Sequence, residues 1–354
     1  MDKITIIGGG FSAFTAKLLA NAPVMLITPL DQKILIKNMF RRKTFEFNKF
    51  FSKKTYSYGS LQTNLKNIKL HDRLGIGGNS SIWGGLTDIA KISTRNISKF
   101  ESNGIRFVKL SFSNTGSISN NNLCQITNKD NVLDVKSKFS KFINGYLLSF
   151  SVEKKNIRLN FLTLSNKNKI IKKTIFTKKL IICTGVVQTI DLLYRSGIIK
   201  DEDIIKLDEF SYLLKYKFLF FPYLFEKSNT INIIRYKLSA AISHFLGIQK
   251  KIKYAFLIDL IPLYVDQYFL NKINSCYLKI DKGILKSDNR RVNNNQTFGN
   301  SIHYCNMTVN NININKLLRG ISPNIFGLGM AFVSQKKPGP ISNDIILDTS
   351  QKIK

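Results

Sequence analysis

Ile4-Thr5-Ile6-Ile7-Gly8-Gly9-Gly10-Phe11-Ser12-Ala13 stands near the start of the chain, and its reading decides the rest. Ile4 to Ile7 is a short β-branched run, as a buried strand requires. Three glycines follow. Phe11, Phe14, Leu18 and Leu19 then recur at helical spacing in a stretch ending near Ala22, and Val24 to Ile27 is a second apolar run. The order is strand, glycine turn, helix, strand. Gly8, Gly10 and Ala13 fill the Gly-x-Gly-x-x-Gly/Ala pattern. In that pattern the first glycine permits the tight turn and the second lets the backbone approach a pyrophosphate. The small third residue lets the helix pack close on the strand, and the helix start offers N–H groups to phosphate. Phe11 and Ser12, at that helix start, join the candidate nucleotide-binding residues. An acidic residue expected at the end of the second strand, where it would bind ribose, is replaced by Thr28. Pro29 follows, and Asp31 lies slightly beyond. The Thr28 hydroxyl is the remaining candidate for that contact.

A second glycine cluster, Arg73-Leu-Gly-Ile-Gly-Gly-Asn-Ser-Ser-Ile-Trp-Gly-Gly85, surrounds the chain's one tryptophan, Trp83. Glycines at this density turn backbone amides toward a ligand, and Ser80 and Ser81 add hydroxyls. Gly77, Gly78, Asn79, Ser80, Ser81, Trp83 and Gly84 are the candidate contacts. A third stretch, Lys178 to Gly197, reads as a buried strand (Leu180 to Cys183), a turn at Gly185 and a helix (Gln188 to Arg195). Before it, Phe142 to Thr177 alternates apolar and polar residues, with turn signals at Asn166 to Lys169, and reads as a β-meander.

These blocks resemble, in content and order, the glucose-methanol-choline (GMC) type of FAD-dependent oxidoreductases. The likeness is greatest to the sugar-oxidising, polysaccharide-associated branch, which has tryptophan where this chain has Trp83. It covers about half the chain. The resemblance implies an α/β fold: a Rossmann-type FAD-binding domain with a β-meander, plus a smaller α+β substrate domain. The expected boundaries are 1–205 for the first part of the FAD-binding domain, 206–300 for the substrate domain, and 301–354 for a return carrying the catalytic segment. Some members link the flavin covalently through a histidine just before the tryptophan. Ile82 stands there, so non-covalent FAD is expected. Toward the C-terminus, His303 to Met307, Pro323 to Val333 and Pro338 to Asn343 follow the family's closing segments, and a helix is predicted to Lys352. The family's Gly-Thr-x-Arg portion is absent. His303 matches the catalytic base. Asn343 is the candidate for the second catalytic position, which otherwise falls on Gly339, and Gly329 is a further cofactor-side candidate.

A base is what alcohol oxidation demands, since the O–H proton must leave as the C–H hydride goes to flavin N5, and imidazole suits that task near neutral pH. Only three histidines are present. His71 precedes the second glycine cluster, and His244 lies in an apolar helix-like run, Leu238 to Leu246. The activity so implied is oxidation of an alcohol group of a sugar or related hydroxyl compound, with an unidentified electron acceptor. A different class stays open: a flavoprotein or nucleotide-binding protein without redox turnover, either like a sugar-nucleotide mutase or a degenerate scaffold.

The 354 residues suggest about two domains. Lys and Arg number 54 against 22 Asp and Glu, a net charge of +32. Such a balance favours anionic partners: a phosphate-bearing substrate, or a weak contact with an anionic membrane surface. The basic residues are scattered, as at Lys33, Lys37, Lys43, Lys49 and Lys53, in a chain crowded with Ile, Asn and Lys, so compositional bias is the competing reading. No specific nucleic-acid partner is expected, for no such fold motif occurs. The four cysteines, Cys124, Cys183, Cys276 and Cys305, lack metal-type spacing. Reduced thiols, a cytoplasmic location and no metal site are expected. The N-terminus reads as a folded strand rather than a signal peptide. The apolar stretch Tyr254 to Leu270 is broken by Asp259, Pro262 and Asp266, and so is not a membrane span. From Leu207 to Asn300 no motif appears. Tyr212 to Phe225 is aromatic and Ala240 to Leu270 looks helical.

Overall fold

β1 (Ile4–Ile7) is buried at every position, and it pairs in parallel on both sides. Its neighbours are β2 (Val24–Thr28) and β11 (Lys179–Ile182), so all three can be nearly continuous apolar runs. The computed structural model describes residues 4–28, 62–65, 68, 70, 76–78, 86–109, 123–128, 131–133, 135–139, 141–165, 170–211, 216–217, 222–223, 272–288, 304–334 and 341–353. Between β11 and these first two strands lie β3 (Gln62–Asn64), β4 (Leu86–Asp88), β5 (Ile105–Lys109), β6 (Leu123–Asn128), β7 (Asn131–Val132), β8 (Ile143–Glu153), β9 (Asn156–Leu164) and β10 (Ile170–Thr177). After β11 come β12 (Ile204–Ser211), β13 (Tyr216–Lys217), β14 (Pro222–Tyr223), β15 (Lys272–Asp281), β16 (Ile284–Ser287), β17 (Tyr304–Val309), β18 (Ile312–Asn313) and β19 (Ile325–Gly327). The described helices are α1 (Phe11–Leu19), α2 (Thr94–Glu101), α3 (Val186–Arg195), α4 (Ile314–Ile321) and α5 (Ile341–Lys352).

The largest sheet has the order β10-β9-β8-β2-β1-β11-β19. β8, β2, β1, β11 and β19 run parallel. β8, β9 and β10 are antiparallel, so the predicted meander is present over 143–177. Parallel neighbours need a crossover, and α1 supplies the one from β1 to β2. The chain leaves β1 toward β2 on one side and returns as β11 on the other. The order therefore reverses at the carboxyl end of β1, where open α/β sheets bind ligands. The predicted strand at Leu180 to Cys183 lies one residue earlier. The helix after Gly185 starts at Val186 because Gly185 is its N-cap. α1 ends at Leu19, short of the expected Ala22, because Ala20 is already extended.

A second sheet has the order β18-β17-β12-β15-β16-β3. It gathers strands from 62–64, 204–211, 272–287 and 304–313, and all but the β16–β3 pair are antiparallel. β12 is bulged against β17 between Lys206 and Asp208, and Asn306 has a φ of 55° there. Asp208 anchors the irregularity, accepting from Ser275 Oγ (2.7 Å) and Asn306 Nδ2 (3.1 Å). A smaller sheet, β4-β6-β5 with β7 on β6, packs near α1 and α2, and β13 pairs with β14. Phe100 of α2 meets Phe14 of α1 edge-on at 6.1 Å between ring centroids. The architecture is mixed α/β with parallel and antiparallel sheets. No described helix is long and apolar enough to cross a membrane. Most of Tyr212 to Phe225, and all of Ala240 to Leu270, lies outside the described residues.

Candidate functional site

The site forms where β1 ends. Ile7, Ile27 and Ile182 are level across the three central strands, so β1, β2 and β11 end together at one edge of the sheet. Gly8 N–H donates to the Ile27 carbonyl (3.0 Å), Cys183 N–H to Ile7 (2.8 Å) and Leu328 N–H to Ile182 (2.9 Å). Gly8 has a φ of 117°, and a Cβ there would stand 2.3 Å from the Cys183 carbonyl oxygen. Only glycine meets both demands. Gly10 is the N-cap of α1 and makes no side-chain cap, so the first turn of α1 is not closed off by a capping residue. Ala13 is fully buried, as close packing of helix on strand requires.

The second glycine cluster arrives at the first. Gly77 N–H donates to the Gly9 carbonyl at 2.6 Å, and a Cβ on Gly10 would meet only the Gly77 oxygen, at 3.9 Å. Gly78 comes next, with a φ of 44°. Asn79, Ser80, Ser81, Trp83 and Gly84 lie outside the described residues.

A third turn closes the group. Gly329, with a φ of 107°, packs so tightly on the start of α1 that a Cβ would stand 2.5 Å from Ser12 Oγ. Asn315, from α4, holds this turn. Its Oδ1 accepts from Gly327 N–H (2.8 Å), and its Nδ2 donates to the Phe332 carbonyl (3.3 Å). Asn306 N–H donates to Val333 (2.9 Å), which ties the bulge of the second sheet to the same turn. Asn315 was not a sequence candidate. An asparagine inside a short helix carries no signature until the turn it grips is known.

Thr28 ends β2 beside these turns. It is 1% exposed, and its Oγ1 has no hydrogen-bond partner. A buried hydroxyl without a partner costs free energy, and this one lies where a ribose contact was expected. Gly185, another candidate, caps α3 with extended backbone and no side-chain bond.

His303 lies outside the described residues, as do His71, His244 and Gly339. Asn343 is described, and it is only 2% exposed. Its Oδ1 accepts from Thr87 Oγ1 (3.1 Å) and Asp88 N–H (2.7 Å), and its Nδ2 donates to the Asp88 carbonyl (2.6 Å). That amide is spent on β4.

Burial governs the electrostatics around α5. It pushes the Asp344 carboxyl up to about 6, with Lys91 opposing and Asp348 adding to the shift. It also raises Asp348 and lowers Lys352, which pair at 2.6 Å. Burial raises the thiols of Cys124, Cys183, Cys276 and Cys305 above their ordinary range, and none forms a disulfide. These are inert thiols. Behind α3, the Tyr146 hydroxyl donates to Asp191 Oδ2 (2.7 Å), and Arg195 closes the same network, fixing the helix to the meander. Among the described residues no group of His, Cys, Asp or Glu is placed to hold a metal ion.

No protein-family model matches the sequence, and no curated protein matches it. Among the solved structures similar at a low level are three. One is a flavoprotein/dehydrogenase from Cytophaga hutchinsonii, at a TM-score of 0.38 and 10% identity, covering 99% of this chain and 75% of that one. Another is the Diels-Alderase PyrE3 of pyrroindomycin biosynthesis, at 0.28 and 10% identity, covering 81% of this chain and 59% of that one. The third is AlpK, at 0.30 and 6% identity, covering 98% of this chain and 60% of that one. Likenesses this weak carry nothing about activity.

Proposed function

We propose that this protein is a flavoprotein that holds FAD non-covalently in a Rossmann-type domain, and that it is an oxidoreductase of the GMC type. Its substrate is an alcohol group of a sugar or related hydroxyl compound. The observation that carries the reading is the hydrogen bond from Gly77 to Gly9 at the carboxyl end of β1, which joins the two glycine turns. The residues present suit a dinucleotide. Gly8 makes the tight turn that Gly10 needs to offer bare backbone to a pyrophosphate, and the first turn of α1, with Phe11, Ser12 and Ala13, offers its amides. The unpartnered Thr28 hydroxyl suits a ribose oxygen. FAD, when bound, would supply two-electron redox chemistry. His303 takes the substrate O–H proton and holds it on its imidazole. A phosphate-bearing sugar suits the +32 charge. The acceptor that reoxidises the protein is of unknown kind, and the compartment is the cytoplasm.

A panel of alcohols and sugars mixed anaerobically with purified protein tests this. Bleaching of the flavin band by one of them, lost in His303→Ala, is expected. Equal bleaching by His303→Ala would contradict the base assignment. One observation favours a second reading, a flavoprotein without redox turnover: the amide of Asn343 is committed to β4 and is not available as a second catalytic group. A bound flavin that no alcohol bleaches supports that reading.

A further inference from the structure

We infer that the tip of the meander, at the turn between β8 and β9 and beside the end of β10, is a docking surface for an anionic lipid bilayer. The inference does not rest on the flavin reading. β8 and β9 form a hairpin whose turn is Lys154-Lys155, with Lys154 at a φ of 53°. Ser151 to Asn156 are exposed at every position, so the tip stands clear of the body of the protein. Arg158 of β9 lies opposite Ser151 of β8 on one side and opposite Phe176 of β10 on the other. Ile157, one residue earlier, lies opposite Val152. Val152 and Phe176 therefore stand at the same end of the meander, two strands apart.

Two properties of this tip point to a bilayer. The first is apolar exposure. Phe176 is 56% exposed and Val152 38%; they are two of the five large apolar side chains left exposed among the described residues, and Phe176 is the one aromatic. Single exposed apolar residues are ordinary. Here two stand at one tip, and both leave water on contact with an acyl boundary. The second property is charge. Residues 149–160 and 171–177 carry Lys154, Lys155, Arg158, Lys172 and Lys173 against one acid, Glu153. Glu153 pairs with Arg158 at 3.2 Å, so the four lysines are the net charge, and all four are exposed. The negative potential of an anionic leaflet attracts such lysines within a Debye length. Lysines on an edge strand also discourage pairing with another sheet, which accounts for Lys172 and Lys173 on the edge strand β10. It does not account for Lys154 and Lys155 in a turn, or for an exposed phenylalanine on that same edge. A second copy of the chain would bring like charges together. A nucleic-acid backbone would engage the lysines but leave Val152 in water.

Flotation of the purified full chain with vesicles of phosphatidylcholine, alone or mixed with phosphatidylserine, tests this. Binding to the mixed vesicles only is expected, and it should weaken as salt is added. Lys154→Glu/Lys155→Glu should weaken it at least about tenfold, and Phe176→Ser roughly fivefold. These positions are exposed, so the far-UV circular dichroism should not change. Arg106→Glu/Lys109→Glu is the control. It makes the same change of net charge at two exposed cations of β5, on either side of the exposed Val108. The meander shares a core with Ile7, Ile27 and Ile182, whereas β5 shares one with Ile6, Leu26 and Ile181, so the two lie on opposite faces of the parallel sheet. The control should bind as wild type does.

Wild-type protein that does not float with the mixed vesicles overturns the inference. So does equal flotation with phosphatidylcholine alone, since the lysines would then have no part. An equal loss in the β5 control overturns it too, because overall charge would explain the binding. Salt-sensitive binding to duplex DNA, with none to vesicles, assigns the surface to a nucleic acid instead. If the double lysine variant does not fold, wild-type binding by Phe176→Ser overturns the assignment to this tip.

Discussion

Gly77 donates its amide hydrogen to the carbonyl of Gly9 at 2.6 Å, across a chain separation that brings two glycine-rich turns to one end of a parallel sheet. Backbone without side chains thus accumulates at the switch point of the sheet, where an anionic ligand would meet no Cβ.

Thr28→Val separates ligand binding from folding. The Thr28 hydroxyl is buried and unpartnered, so removing it relieves an uncompensated group. Ligand-free Thr28→Val should melt a few degrees higher than wild type, a gain of about 1 kcal/mol. FAD affinity should fall about fivefold, the loss of one hydrogen bond. Calorimetry and flavin-fluorescence titration measure the two effects. Affinity unchanged by the substitution would remove Thr28 from the site.

Gly8→Ala should be severe. An L-residue at a φ of 117° costs about 1–3 kcal/mol before any clash, and the new Cβ would press on the Cys183 carbonyl oxygen at 2.3 Å. Backbone on backbone cannot give way cheaply. Loss of several degrees in melting temperature, together with loss of flavin, is expected from thermal denaturation and absorbance spectra.

Gly329→Ala should be partly rescued by a second change. The added Cβ would lie 2.5 Å from Ser12 Oγ and 3.1 Å from Ser12 Cβ. Ser12→Ala removes the nearer atom only, so the double variant should recover part of the lost stability while the strain at a φ of 107° persists. A double-mutant cycle by urea denaturation reads the coupling, which should be about 1 kcal/mol or more for atoms in contact. Additive losses would show that the Gly329 turn does not press on α1.

The pH dependence of stability should carry the mark of Asp344. Burial raises its folded-state value to about 6 from an ordinary 3.8. The folded protein therefore binds a proton more tightly than the unfolded chain. Its contribution is fully present below about pH 4 and is lost as pH rises through about 6. Asp348, raised by the same cause, acts in the same direction. Asp344→Asn should melt higher than wild type at about pH 7 and gain less than wild type when the pH is lowered to about 5. Parallel melting curves for the two proteins across that range would contradict the burial of this carboxyl.

Much of the larger sheet was legible because its signals are local. Ile4 to Ile27 and Leu180 to Arg195 each carry their own strand, glycine turn and helix, and the meander carries its alternation. The second sheet was not legible, because β3, β12, β15 and β17 come from distant stretches and pair only through tertiary contacts. The same reason hid Asn315 and the bonds from Asn343 to β4. Each acts through partners that no local pattern announces, and in each the type of residue is ordinary while the position is not. Gly77 and Gly9 lay within recognisable glycine runs, while the hydrogen bond between them is a tertiary contact that neither run announces.

The flavin content of the purified protein bears most directly on what the paired glycine turns hold. Protein isolated without added cofactor should be yellow and release close to one FAD per chain into the supernatant on acid precipitation. A colourless protein that still takes up no FAD when incubated with an excess would contradict it.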